Sequence, residues 1–237
     1  GKNFAAITVS AGPGSVIQGD NLNITAVAGG ILTLTSGTFN SGSNGLTTGS
    51  LSSSNSNNRT LTLGTFVKIG GNVATATSIL GLTTTTGLIF NKNNAFLEIQ
   101  VPTSAIVGWD IRPGGLAWNA LILDANSSFN SGLNLTTNGS WTTWTIGSGW
   151  TLINQAAINN TLSGAAVFNG TPTRPIVMAL GSAISTAALS ASSCTATWTS
   201  FYGMTVPTGC TASNGVNLGG NTGITFTQPR FGGVIGG

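Results

Sequence analysis

Asp20, Glu98, Asp110 and Asp124 are the only acidic side chains in this 237-residue chain, and it has no histidine. A histidine-based triad, a zinc site or a proton relay therefore lacks its commonest member. Asp110 and Asp124 have the most suggestive spacing. Carbohydrate-cleaving enzymes set two carboxyl groups about 5 to 9 Å apart across the scissile bond, and stacked coils can bring side chains from neighbouring coils together. Local uses for both acids compete with this reading and outweigh it. Asp110 stands just before Arg112 and Pro113 and suits a turn, and Asp124-Ala125-Asn126 suits an Asx-type loop. The expectation is a chain with no catalytic residue, no metal site and no cofactor, and not an enzyme.

Cys194 and Cys210 are the only cysteines, and they enclose a loop that includes Pro207 and Gly209. A disulfide between them is expected and would contribute about 3 kcal/mol by restricting the unfolded chain. Two free thiols are the alternative in a reducing compartment. Redox catalysis is not expected, because the cysteines lack CxxC spacing.

Trp141-Thr142-Thr143-Trp144, followed by Ile146, is the densest cluster among the six tryptophans. In one continuous strand, residues three apart face opposite ways. With Trp144 and Ile146 inward, Trp141 then faces outward as a flat stacking surface for a sugar ring, and Asn138, Ser140 and Thr143 supply hydrogen bonds beside it. The competing reading buries Trp141 against a neighbouring subunit or an adjoining loop.

The elements that position these residues follow from composition and pattern. Apolar residues make up 40% of the chain and charged residues 5%, which excludes a disordered polyelectrolyte. Seven scattered Lys and Arg give a net charge of +3 and build no basic stripe, so nucleic acid is not expected as a partner. Apolar runs such as Ile176–Leu180 fall far short of the roughly 20 residues a spanning helix needs, so membrane insertion is not expected. The opening Gly1-Lys2-Asn3-Phe4 carries neither Met nor a leader pattern, which reads as a processed product or a piece of something longer.

Leu61 and Leu63 alternate with Thr60 and Thr62, Leu97, Ile99 and Val101 with Phe96, Glu98 and Gln100, and Ile224 and Phe226 flank Thr225. This period-two pattern predicts short half-buried strands. Turn chemistry separates them at 29–30, 41–45, 70–71, 113–115 and 138–139. The best helical candidate, Leu180 to Ala191, is weak because Gly, Ser and Thr fill its middle. The pattern predicts an all-β, elongated β-solenoid of the right-handed β-helix type, with Ser, Thr and Asn ladders outside and aliphatics in the bore. A β-sandwich or jelly roll is the alternative. Coils of about 20 to 25 residues rising about 4.8 Å each would give on the order of ten coils in about 50 Å.

ILTLTSGTFNSGSNGLTTGSLSSSNSNNRTLTLGTF from Ile31, followed by TTTTGLIFNKNNAFLEI, resembles the repeats of β-helical surface proteins of bacteriophage appendages, of the tail-fibre and tailspike kind, and of large secreted bacterial adhesins. The order NNRTLTLGT at Asn57 to Thr65, then TTGLIFN at Thr85 to Asn91, is similar to theirs. FNGTPTRPIVM, CTATWTSFYGM and GVNLGGNTGITF, ending at Phe226, resemble a recurrent terminal module, which places a repeat-like unit at 165–237 of a single elongated domain spanning 1–237. The phrase from Gly219 to Ile224 lacks one Asn and the aromatic residue usual there. The resemblance implies a virion-surface, extracellular or cell-surface location. It implies a structural and adhesive role, through self-assembly and attachment to a host or a cell-surface glycan, with trimers as the phage-fibre form. A filament or shell subunit and a polysaccharide-cleaving tailspike-type enzyme are the alternatives. Phe4, Phe39, Phe129, Phe231 and several tryptophans look too numerous for a narrow coil to bury, which adds an expectation of homo-oligomer contacts.

Overall fold

The computed structural model describes residues 4–24, 30–70, 78–100, 108–125, 131–155, 158–181 and 187–227. Every regular element among them is a β-strand. Alternating aliphatic and Thr, Ser or Asn residues, cut short by Gly-rich turns, leave no helical stripe and suit short extended segments.

The strands fall into successive circuits. The first holds β1 (Ala6–Ile17) and β2 (Leu22–Ile24), the second β3 (Ile31–Asn40) and β4 (Leu46–Thr48). The third holds β5 (Ser50–Ser52), β6 (Arg59–Thr62) and β7 (Phe66–Ile69), the fourth β8 (Ser78–Gly81), β9 (Leu88–Asn91) and β10 (Phe96–Ile99). Next come β11 (Trp109–Arg112) with β12 (Ala117–Leu123), then β13 (Ser131–Leu135) with β14 (Gly139–Ile146). β15 (Trp150–Asn154), β16 (Asn159–Leu162) and β17 (Ala165–Asn169) follow, then β18 (Ile176–Leu180), β19 (Ala187–Ser190) and β20 (Ser193–Thr197). β21 (Thr199–Tyr202), β22 (Met204–Ser213) and β23 (Thr222–Thr227) end the series.

All strand pairings among the described residues are parallel. This corrects the sandwich and jelly-roll alternative, since those architectures pair strands antiparallel. Among these pairings the chain returns beside itself soonest between Ala212 and Phe226 and latest between Ser78 and Asp110. That range is wider than the spacing expected from the sequence, because loop length varies while the strand cross-section is held.

Two inward columns run the length of one sheet. One passes from Ile24 through Thr48, Ile69, Ile99, Leu123, Ile146, Phe168, Ala196 and Ala212 to Phe226. Its neighbour starts at Leu22, Leu46 and Val67 and continues by Leu97, Leu121, Trp144, Ala166 and Cys194. On the other sheet Leu32, Leu51, Leu80, Ile111, Leu135, Asn154 and Leu180 align in the same way. Apart from Thr48 and Asn154, these stacked side chains are apolar and form the core, each apolar pair burying area worth about 25 cal/mol per Å².

The core takes up more aromatic bulk than the sequence suggests. Phe39, Trp109, Trp118, Trp141, Trp144 and Trp150 are all buried in it. The expectation that a coil this narrow could not hide them is therefore corrected, although Phe4 does stay exposed. Phe129, Phe231 and Val101 lie outside the described residues, as do 182–186 of the weak helical candidate, whose residues Ala187–Ser190 form strand β19.

Among the described residues, half-buried apolar side chains packed on the core occur at three levels only. Ile7 and Leu22 lie in the first circuit and Ile224 and Phe226 in the last. Leu88, Phe90 and Leu116 lie at the middle level, where β9 pairs with β6 and no described strand lies above it. There the chain turns at Pro113-Gly114-Gly115, with both glycines at positive φ, and the Phe90 and Trp118 rings meet at 5.0 Å between centroids.

Candidate functional site

The proposed sugar platform is corrected first. Trp141 is buried together with Trp144 and Ile146. The alternation is reset because β14 turns a corner: Gly139–Trp141 pair with β16, whereas Trp144–Ile146 pair with β17. Thr142 and Thr143 make the corner, so both tryptophans point inward. Gly139 makes room for this, since a Cβ there would collide with Trp141 Nε1. The indole stacks on Trp118 at 5.9 Å and meets Trp144 edge-on at 6.2 Å, and its Nε1 donates to Asn160 Oδ1 at 3.4 Å. Asn138 and Ser140 are exposed and Thr143 half-buried, while the Trp141 ring beside which they were expected to act is buried. Asn138 Oδ1 instead accepts from the Asn159 amide.

Cys194 and Cys210 are joined in a disulfide. Both point inward, and Cys210 is paired in turn with Ile224, so the bond continues the Leu22–Cys194 column.

The two aspartates considered for catalysis are not brought together. Asp110, on β11, accepts from Arg112 at 2.6 Å and from Asn134 at 3.0 Å. Asp124 follows β12 on the other sheet, and it feels the charge of Glu98, one circuit below and itself paired with Lys68 at 3.0 Å. Burial, and then the Glu98 charge, raise the Asp124 pKa above the ordinary aspartate value, partly opposed by Lys68. Sequence reasoning missed this acid pair because a full circuit of chain separates its members. Among the described residues no group of three or more His, Cys, Asp or Glu gathers as a metal site.

A different part of the surface forms a recess. β1 is in step with β3 up to Val9 and Leu34, slips by one residue to pair Ser10 with Ser36, and resumes at Ser15 and Thr38, so Ala11–Gly14 bulge outward opposite Gly37. Gly37 adopts φ +78°, and a Cβ there would press on the Gly14 and Gly12 carbonyls at 2.7 and 2.9 Å. Beneath this overhang lies a groove of about 380 Å³, walled by Pro13, Thr38, Asn58, Thr60, Leu88 and Ile89. On the other side of the bulge a recess of about 530 Å³ adds Ser36 and Asn57.

Arg59 underlies the groove and was not singled out by the sequence. It is buried, and burial lowers its pKa, yet no carboxylate accompanies it among its hydrogen-bond partners. Its five N–H groups all donate: Nε to Ser53 Oγ, the others to the carbonyls of Ser53, Asn57, Thr84 and Thr86. The guanidinium thus ties the loop before β6 to the loop before β9 and offers no N–H to a ligand. What faces the groove is hydroxyl, amide and aliphatic surface with no carboxylate, suited to a neutral, hydroxyl-rich molecule.

No family model matches the chain, and no curated protein or solved structure matches it either.

Proposed function

We propose that the chain is a β-solenoid whose work is structural and adhesive: a surface protein of a phage or bacterial appendage that self-assembles and attaches to a host or cell-surface glycan. The observation that carries the reading is the column from Ile24 to Phe226, inward residues in unbroken parallel register. Its successive strand spacings of about 4.7–4.9 Å give a stack of about 43 Å along that column. A right-handed winding is the hand that parallel crossovers favour. The disulfide supports an oxidising, extracellular or virion-surface location. A homo-oligomer, trimeric if the phage-fibre resemblance holds, belongs to the same reading.

Attachment is assigned to the groove beside Pro13, where Thr38, Asn58 and Thr60 offer hydrogen bonds and Ile89 an aliphatic floor. Small-angle scattering tests the shape: an elongated profile supports the solenoid, and a compact globule removes it. Binding is tested by titrating neutral oligosaccharides against the protein and its Thr60→Lys variant. Loss of binding in the variant supports the groove, and equal binding by both overturns it. Release of oligosaccharide from host polysaccharide by the purified protein would replace adhesion with the tailspike-type enzyme reading.

A further inference from the structure

The groove beside Pro13 is more particular than its neutrality implies. Thr38 and Thr60 are register partners, and Ile89 follows them in the same outward column of β3, β6 and β9. The column thus changes from hydroxyl to aliphatic within the groove. Ile89 is 61% exposed, and Leu88 beside it is half-buried. Pro13 stands at the other end, on the bulge of β1, three strands away and about 14 Å along the axis. Between these aliphatic ends the polar groups are free. Most polar side chains around the groove are already engaged: Ser36 Oγ accepts from the Gly12 amide, Asn55 and Asn57 donate to the Leu34 and Thr35 carbonyls, and Asn91 donates to Thr62 Oγ1. The side chains of Thr38, Asn58 and Thr60, which line the groove itself, make no hydrogen bond among the described residues.

We propose that the groove takes a neutral sugar bearing a methyl group, as an N-acetyl or a 6-deoxy substituent, with the methyl seated against Ile89 and the ring hydroxyls on Thr38, Asn58 and Thr60. The proposal rests on the adhesive reading of the same groove and specifies the class of glycan. Charge selects against ionic ligands: no carboxylate or lysine lines the groove, and the Arg59 guanidinium is fully engaged by protein acceptors. Shape selects the methyl. The flat C–H face of an unsubstituted sugar ring packs best on a flat aromatic side chain, and none lines this groove, whereas the branched tip of Ile89 suits a compact methyl. The three free polar side chains then fix the orientation of the ring. An extended peptide gains its affinity by adding a strand to an open backbone edge. The groove lies instead on the outer face of the wall, where the central strand β6 is already paired on both sides. Its aliphatic side chains are Pro13, Leu88 and Ile89 alone, too little surface for the acyl chain of a lipid.

The test compares matched oligosaccharides that differ in the methyl-bearing group. N-acetylglucosamine oligomers are measured against glucose oligomers of the same linkage and length, and 6-deoxymannose oligomers against mannose oligomers, by calorimetry and by saturation-transfer NMR. In at least one pair the methyl-bearing member should bind about fourfold tighter or better, the effect of one buried methyl-sized group, and its methyl protons should receive the strongest saturation. Preference in the first pair alone assigns the acetamido methyl, and preference in the second alone the deoxy methyl. In Ile89→Thr, which continues the Thr38–Thr60 column with a residue of the same branched shape, the members of the preferred pair should bind alike. Equal binding within both pairs by the parent protein overturns the inference and leaves neutral-glycan adhesion standing. A preference that survives in Ile89→Thr puts the methyl elsewhere and overturns it as well. If that variant loses its strand signal in circular dichroism, the saturation pattern on the parent protein decides, and ring protons saturated more strongly than the methyl count against the proposal. Binding of none of these oligosaccharides removes the adhesive reading of the groove and this inference with it.

Discussion

Trp141 Nε1 donates to Asn160 Oδ1, and Asn160 Nδ2 in turn donates to Asn154 Oδ1 at 3.3 Å, so a short polar chain runs through an otherwise apolar interior. Both asparagines are buried. Removing the indole empties a large volume and leaves Asn160 without its donor. Trp141→Ala should lose about 3–5 kcal/mol of stability, seen as a large fall in the denaturant midpoint, whereas Ser140→Ala on the same strand should change little. A Trp141→Ala protein as stable as the parent would contradict the burial described.

Arg59 supports two loops with one side chain. Arg59→Met keeps the stem but leaves carbonyls of Ser53, Asn57, Thr84 and Thr86 without their donor. A loss of roughly 2–4 kcal/mol is expected in chemical denaturation. Arg59→Lys should recover only part of it, because three ammonium donors cannot reproduce a planar fork of five.

The Cys194–Cys210 bond spans the last described circuits. Reduction, or a Cys194→Ser/Cys210→Ser double variant, should cost about 3 kcal/mol. Hydrogen exchange should quicken chiefly in β20, β22 and β23 and hardly in β3 to β7, because stacked repeats couple mainly to their neighbours. Uniform acceleration along the whole chain would refute this local coupling.

Asp124 sets a pH dependence of known sign. Its folded pKa is raised, so between the ordinary aspartate value and the raised one the folded state holds more proton than the unfolded state. Stability from this group therefore falls as pH rises through that window. Asp124→Asn should raise the melting temperature at pH 7 relative to the parent, with the gain shrinking as pH falls toward the ordinary aspartate range. A gain that grows on acidification would reverse the assignment.

Much of the fold was legible in the residues. Leu61, Leu63, Leu97 and Ile99 face inward as their period-two spacing predicts, because in a strand the side-chain period depends on the backbone alone. The position of Trp141 was not legible, because the corner at Thr142-Thr143 shifts the phase inside what the sequence presents as one strand. The influence of the Glu98 charge on Asp124 was hidden for a related reason: the circuit from Ser78 to Asp110 is far longer than the one from Ala212 to Phe226, so no fixed offset tells which charges come within range of one another. Arg59 was read only as one of seven scattered cations, because its acceptors are mostly backbone oxygens, which leave no trace in residue type.

The interruption between β9 and β12 has a mechanical consequence. At that level two walls carry continuous hydrogen-bonded ladders, from β8 to β11 and from β10 to β12, while the third is held by the contact of Phe90 with Trp118. Hydrogen bonds resist stretching along the axis far more stiffly than two rings that can slide. A load on the molecule should therefore open the third wall first and flex the stack in one plane, with the continuous walls as the spine.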